Sequence, residues 1–252
     1  MQRHAVRAAL VRLAGSLLLA LGLVLPAAAA DRALINMLGY SADGDTFAFE
    51  QFGIQDGSGF PFSEIFIVDL ANDKWTAGTP FEARGDEESS LAEIRAEAMA
   101  KAQDTLDQYD IEVPVQILAL NGEGEIAADT GLRIHWSTPA CCGVGAIQAD
   151  SHSLILSLRS IQSEEAYCQD MNPVGYILAY QDQNGVKELH ADGDKLPKSR
   201  TCTLDYRIYA VVEPFTEYYA DGLTRRRVAI IATYPFGFEG VDRRFLVVPI
   251  DR

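Results

Sequence analysis

The chain has 252 residues, 48% of them hydrophobic, with 36 acidic against 21 basic side chains and a net charge of −15. That length supports one large domain or two small ones with a sizeable core. A surface so acidic disfavours nucleic acid and anionic lipid, which need basic residues to displace counterions, and tolerates cations, basic proteins or neutral glycans; the same acidity also serves solubility alone.

The N-terminus reads as an export signal. Arg3, Arg7 and Arg12 form a basic region, and Leu13 to Leu25 a short apolar core broken by Pro26. Ala28-Ala29-Ala30 then offers the small residues of a cleavage site. The core is short for a bilayer of roughly 30 Å, so removal of residues 1–30 is expected, with a mature domain of residues 31–252. This places the protein in the periplasm or outside the cell, with no membrane insertion after cleavage.

Residues 33–80 read as a β-meander. Leu34 to Leu38 is apolar, Ser41 to Asp45 is a turn, Thr46 to Phe52 alternates, Asp56-Gly57-Ser58-Gly59 is a loop, and Ile65 to Leu70 is a further strand. Residues 87–109 change period: Leu91, Ile94, Ala98, Ala102, Thr105 and Tyr109 share one helical face. Ser90 with Glu93 suits a capping box, and Glu97 with Lys101 a stabilising i, i+4 pair.

From Val113 the pattern returns to strands: Val113 to Leu120, Gly131 to Ser137 and Ser153 to Leu158. Val174 to Tyr180 and Val186 to His190 flank Asp182-Gln183-Asn184-Gly185, the clearest hairpin signal. Tyr206 to Val212, a turn at Ala220-Asp221-Gly222, Val228 to Tyr234, and Phe245 to Ile250 follow, with Pro249 marking a strand end or sheet edge. The expected fold is mostly β with one long amphipathic helix. Its antiparallel sheet units are either β-propeller-blade-like or a β-sandwich, since "SADG" before Phe47 and "ADSHS" before Leu154 loosely echo a blade phrase.

Four cysteines, Cys141, Cys142, Cys168 and Cys202, suit disulfides in an exported chain. Vicinal bonds are uncommon, so the expected pairing joins Cys141 and Cys142 to Cys168 and Cys202 in either order. Catalytic motifs such as HExxH, GxSxG, a phosphate-binding loop and CxxC do not occur. His135, His152 and His190 match no metal-ligand spacing, and the Asp-Gly turns at 43–45, 56–59 and 192–194 lack the bidentate glutamate of a calcium loop. No cofactor or metal is expected.

Two segments are more particular. Residues 50–62 combine loop glycines with Phe52, Phe60 and Phe62 around Asp56, and residues 235–245 pair Phe236 and Phe238 with Arg243 and Arg244. Such aromatics either stack against a sugar or grip a partner, or tuck under the loop as core plugs. The phrases "DGDTFAFEQFG…DGSGFPFSEIFIVDL" and "GFEGVDRRFLVVPI", with Cys168 and Arg200-Thr201-Cys202, resemble a family of predicted secreted bacterial proteins, domain of unknown function 2259. The resemblance implies export and one domain, and no activity. The expected function is a non-enzymatic binding or interaction module of the cell envelope, with an envelope protein or glycan as partner. Phe52, Asp56, Phe60, Phe62, Phe236, Phe238, Arg243 and Arg244 are its candidate contact residues. The alternatives are an envelope-polymer hydrolase with acid and base among Glu50, Asp56, Glu239 and Asp242, or a calcium-stabilised structural module.

Overall fold

A computed structural model describes residues 30–121, 131–138, 150–163, 166–215 and 226–251. The meander begins with β1 (Leu34–Ser41), β2 (Thr46–Ile54) and β3 (Pro61–Asp69). At the β1–β2 turn the Ser41 hydroxyl donates to Asp43 at 2.6 Å and accepts from Thr46 N at 2.9 Å, so one side chain closes the hairpin from both sides. β2 and β3 pair along their full length, from Thr46 opposite Asp69 to Ile54 opposite Pro61. Short strands β4 (Lys74–Trp75) and β5 (Phe81–Arg84) both pair with β3. Neither was legible from alternation.

The period-two pattern of β2 and β3 decides what lies on each side. Phe47, Phe49, Phe62 and Phe66 face one way, into a core shared with a second sheet. Ala48, Ile65 and Ile67 face the other way and meet the helix α1 (Leu91–Gln108). Both halves of the expected capping box form: Ser90 Oγ accepts from Glu93 N, and the Glu93 carboxylate accepts from Ser90 N. Glu97 and Lys101 pair at 2.7 Å. Ile94, Ala98, Ala102 and Leu106 form the buried face, Leu106 being an addition to the expected stripe, and Tyr109 packs partly buried against the same cluster.

After α1, β6 (Ile111–Val113) runs beside the end of β1, with Tyr40 opposite Val113. Pro114 then interrupts the ladder, because it has no N–H to give, and β7 (Val115–Leu120) pairs instead with β12 (Thr203–Pro214). One apolar run therefore serves two sheets. The middle sheet has the order β14 (Arg244–Pro249), β13 (Val228–Pro235), β12, β7, and the last sheet the order β11 (Gly185–Ala191), β10 (Val174–Asp182), β9 (Asp150–Ser160), β8 (Arg133–Thr138). The anticipated hairpin turns at residues 183–184 between β10 and β11, and Pro249 ends an edge strand.

Strand β13 of the middle sheet is buried on both faces, which is why it reads as an unbroken apolar run. Val228, Ile230 and Ala232 join the phenylalanine core, while Ala229 and Ile231 join Leu154, Leu156, Tyr176 and Leu178 of the last sheet. The architecture is a stack: helix, first sheet, middle sheet, last sheet. The two blade-like phrases are not equivalent, since residues 41–44 form a hairpin turn whereas residues 150–153 lie within β9.

One expectation is corrected. Cys168 bonds Cys202, with Cα atoms 5.4 Å apart, so neither reaches Cys141 or Cys142, which lie outside the described residues. The bond joins a short 3-10 turn, Ala166–Met171, to the residue just before β12, and both sulfurs are buried. The turn at residues 220–222 also lies outside the described residues.

Candidate functional site

The two aromatic loop segments meet through a third, Asp31–Ala33. Arg243 N donates to Asp31 O at 2.7 Å, and Ala33 N to Arg243 O at 3.2 Å. The Arg243 guanidinium is buried and donates twice to Ala33 O, at 3.0 and 2.8 Å. Asp31 reaches both ways: its N donates to the Asp242 carboxylate at 3.0 Å, and its own carboxylate accepts from Asp56 N. Arg244 pairs with Asp31 at 3.3 Å and stands 4.7 Å from the centre of the Phe62 ring. Phe245 N donates to Gln51 Oε1 at 2.8 Å, sealing the join from inside.

The eight candidate residues divide by this geometry. Phe62 and Arg243 are buried and form the base. Phe52 is half-buried on the helix side of β2, under the Arg95 guanidinium at 3.8 Å. Phe60, Asp56 and Arg244 are half-buried at the join. Asp56 carries a buried carboxylate oxygen with no hydrogen-bond partner among the described residues. Only Phe236 and Phe238 point outward, with 45% and 90% of their surface exposed. Their loop is tightly closed: Gly237 N donates to Gly240 O, and Asp242 N to Pro235 O, both at 2.8 Å. A Cβ on Gly237 would lie 2.3 Å from the Asp242 carboxylate, so the turn admits only glycine there without rearrangement.

The carboxylates named for acid–base work are placed differently. Glu50 is 1% exposed and takes a two-point contact from Arg95, at 2.8 and 2.7 Å, plus the Ser63 hydroxyl at 2.9 Å. Burial works to raise its carboxyl, but these bonds outweigh it and hold the group below its ordinary range. It fastens α1 to the first sheet and faces no solvent. Asp242 goes the other way: burial, helped by the neighbouring Asp31 charge, raises its carboxyl against the bond from Asp31 N–H.

A second polar knot was missed by the sequence reading. Asp192, read there as turn chemistry, is buried in the last sheet and accepts from Arg200 at 2.6 and 2.7 Å, from Tyr176 N at 2.8 Å, and contacts His190 Nε2 at 2.9 Å. Arg200 also lies 5.0 Å from the Tyr176 ring centre and 5.7 Å from that of Tyr206. Burial opposes ionisation of Asp192, but His190, the Tyr176 amide and Arg200 together lower its carboxyl. Further along this sheet, His152 Nδ1 and the Tyr180 hydroxyl are 2.6 Å apart, and Arg227, clamped by Asp251, donates to the same hydroxyl at 3.4 Å. Burial, then the Arg227 charge, lowers the His152 imidazole. The only sequence signals for these knots were lone histidines and arginines. Among the described residues, no group of three His, Cys, Asp or Glu is placed to hold a metal ion, and no helix is long and apolar enough to cross a membrane.

The described residues form an antiparallel β stack that carries one helix, a buried disulfide and an outward aromatic loop. The chain belongs to the family of predicted secreted proteins known as domain of unknown function 2259, whose pattern covers residues 48–251. No curated protein and no solved structure shows significant similarity to it.

Proposed function

We propose that this chain is an exported, non-enzymatic binding module of the cell envelope whose contact site is the Phe236–Phe238 loop and the adjoining turn at residues 55–60. One observation carries this reading: Phe238 is 90% exposed on a loop whose backbone is closed by its own hydrogen bonds. A large apolar ring presented on a backbone already closed by hydrogen bonds leaves less main-chain freedom to be lost on binding, which favours an anchor residue. The buried Arg243 and half-buried Arg244 brace the loop from beneath. An envelope protein or a glycan face suits the ring equally. Export by cleavage after Ala30, to the periplasm or beyond it, belongs to the same proposal and predicts a mature N-terminus at Asp31.

The test is retention of a partner from the host's own envelope fraction by immobilised protein, read for wild type and for Phe236→Ala/Phe238→Ala. Loss of a specific partner with unchanged thermal unfolding supports the reading. Equal retention by both sinks it. N-terminal sequencing of the exported protein checks the cleavage site independently.

A further inference from the structure

A different face of the molecule lacks a strand. In the first sheet, β6 covers the outer edge of β1 only at Tyr40 and Ser41. Pro114 then takes the chain away to the middle sheet, and among the described residues no strand pairs with the outer edge of Leu34–Leu38. Among the described residues the main-chain donors and acceptors of that edge have no strand partner, a template for another strand.

The space beside that edge has a floor. A cleft of about 540 Å³ lies between β1 and β7, lined chiefly by Ile35, Met37, Val115, Ile117, Leu120 and Tyr209. Ile35 and Met37 sit opposite Gln51 and Phe49, on the face of β1 that looks toward the middle sheet. A bulge in β7 supplies the other wall. Ile117 pairs with Val212 and Leu120 with Ala210, although the two are three residues apart, so the irregularity turns both side chains to the same face. Both remain 50% and 51% exposed, because the first sheet stops short of covering them. The β1 stretch Leu34–Leu38 and the β7 stretch Val115–Leu120 contain no ionised side chain. Within these two stretches there is none of the charged or proline residues that usually protect an edge strand.

We propose that this cleft binds an extended segment of a partner protein, which adds a strand to the first sheet beside Leu34–Leu38 and buries its alternate apolar side chains against Ile117 and Leu120. Main-chain hydrogen bonds to β1 give the affinity, and the cleft reads every second side chain. Among the described residues of the lining the single ionised group is Glu112, at the end closed by Pro114. It selects a basic residue at the matching end of the incoming strand, consistent with the net charge of −15. This site is separate from the Phe236–Phe238 loop, and its failure leaves that reading untouched.

The probe is a fluorescein-labelled peptide of about eight residues, with valine or isoleucine at alternate positions, threonine between them and one terminal lysine, titrated by anisotropy into the purified folded chain. Controls are the same peptide N-methylated along its pairing edge and Ile117→Lys protein. Ile117 is half exposed, so its replacement leaves folding intact, checked by thermal unfolding. The expected result is saturable binding that weakens at least about tenfold with Ile117→Lys or with N-methylation, and less with Glu112→Gln. No binding at about 1 mM peptide, or equal binding by Ile117→Lys protein, overturns the proposal. A wild-type dimer in sedimentation velocity that Ile117→Lys makes monomeric, and that the peptide does not compete away, also overturns it by assigning the cleft to a second copy.

Discussion

Two regions of this protein use the same chemistry to opposite ends. In the last sheet, Arg200 lies against Tyr176 and Tyr206 and gives its hydrogen bonds to a buried Asp192, with the Cys168–Cys202 bond close by in sequence. At the loop end, Arg243 and Arg244 lie over Phe245 and Phe62 and give theirs to Ala33 O and Asp31. In the first region every ring faces inward. In the second the guanidinium groups hold the base of a loop whose last two rings face water. Cation–aromatic contacts add only about 0.5–2 kcal/mol each, so what distinguishes a lock from a display is where the remaining apolar surface points.

The strongest way to break the lock is to remove its cross-link. The Cys168–Cys202 bond closes a loop of sequence separation 34, for which the chain-entropy model gives about 4 kcal/mol. Cys168→Ser/Cys202→Ser should lower the denaturation midpoint by the corresponding amount, read by urea unfolding followed by circular dichroism. A midpoint unchanged from wild type would mean that the bond contributes nothing to the knot beside it.

Asp192→Ala comes next. It leaves Arg200 as a largely buried cation with no carboxylate and strips an acceptor from Tyr176 N, a loss of about 3 kcal/mol. The pH dependence has a definite sign. Asp192 is held below its unfolded value of 3.8, so its contribution is complete above that value and is lost as pH falls through the lower folded value. Wild type should therefore lose stability below about pH 4, and Asp192→Asn should lose less over the same interval, measured as unfolding midpoints across an acid series. Parallel curves for the two proteins would remove Asp192 from the account.

These knots also mark the limit of what the sequence disclosed. Local patterns carried through: alternation in Thr46 to Phe52, the Ser90–Glu93 capping box, and the Asp182–Gly185 turn all depend on neighbours within a few residues. The pairing of Cys168 with Cys202, the strand switch at Pro114 and the union of the two aromatic loops through Asp31 depend on how sheets stack. Asp31 meets Asp242 across 211 positions, and no periodicity reports a contact of that kind. The aromatic loops were recognisable by composition, but their composition was the same for rings that point in and rings that point out. Burial of Phe62 against exposure of Phe238 was decided by β3 continuing back to Pro61, four residues earlier than its apolar run suggested.

A gentler cut lies at the helix. Ser90→Ala removes one half of the capping box and leaves the Glu93 contact to the backbone, for a loss of about 1 kcal/mol. Because α1 packs on the face of the first sheet opposite the one that carries Phe62, partner retention should be unchanged in this variant. A loss of retention would couple helix stability to the loop end and collapse the distinction between the two regions.

The smallest effect on stability is expected where the effect on binding is largest. Phe238 contributes almost no buried surface, so Phe238→Ala should move the unfolding midpoint by no more than about 0.5 kcal/mol. Gly237→Ala provides the sharper contrast. It keeps both rings but drives a Cβ against Asp242 and Gly240 O, so the loop must open. If presentation by a rigid turn is what matters, Gly237→Ala should impair partner retention as Phe238→Ala does, with a measurable loss of stability that Phe238→Ala lacks. Retention preserved in Gly237→Ala but lost in Phe238→Ala would show that the ring alone suffices, and that the bracing by Arg243 and Arg244 serves the fold rather than the contact.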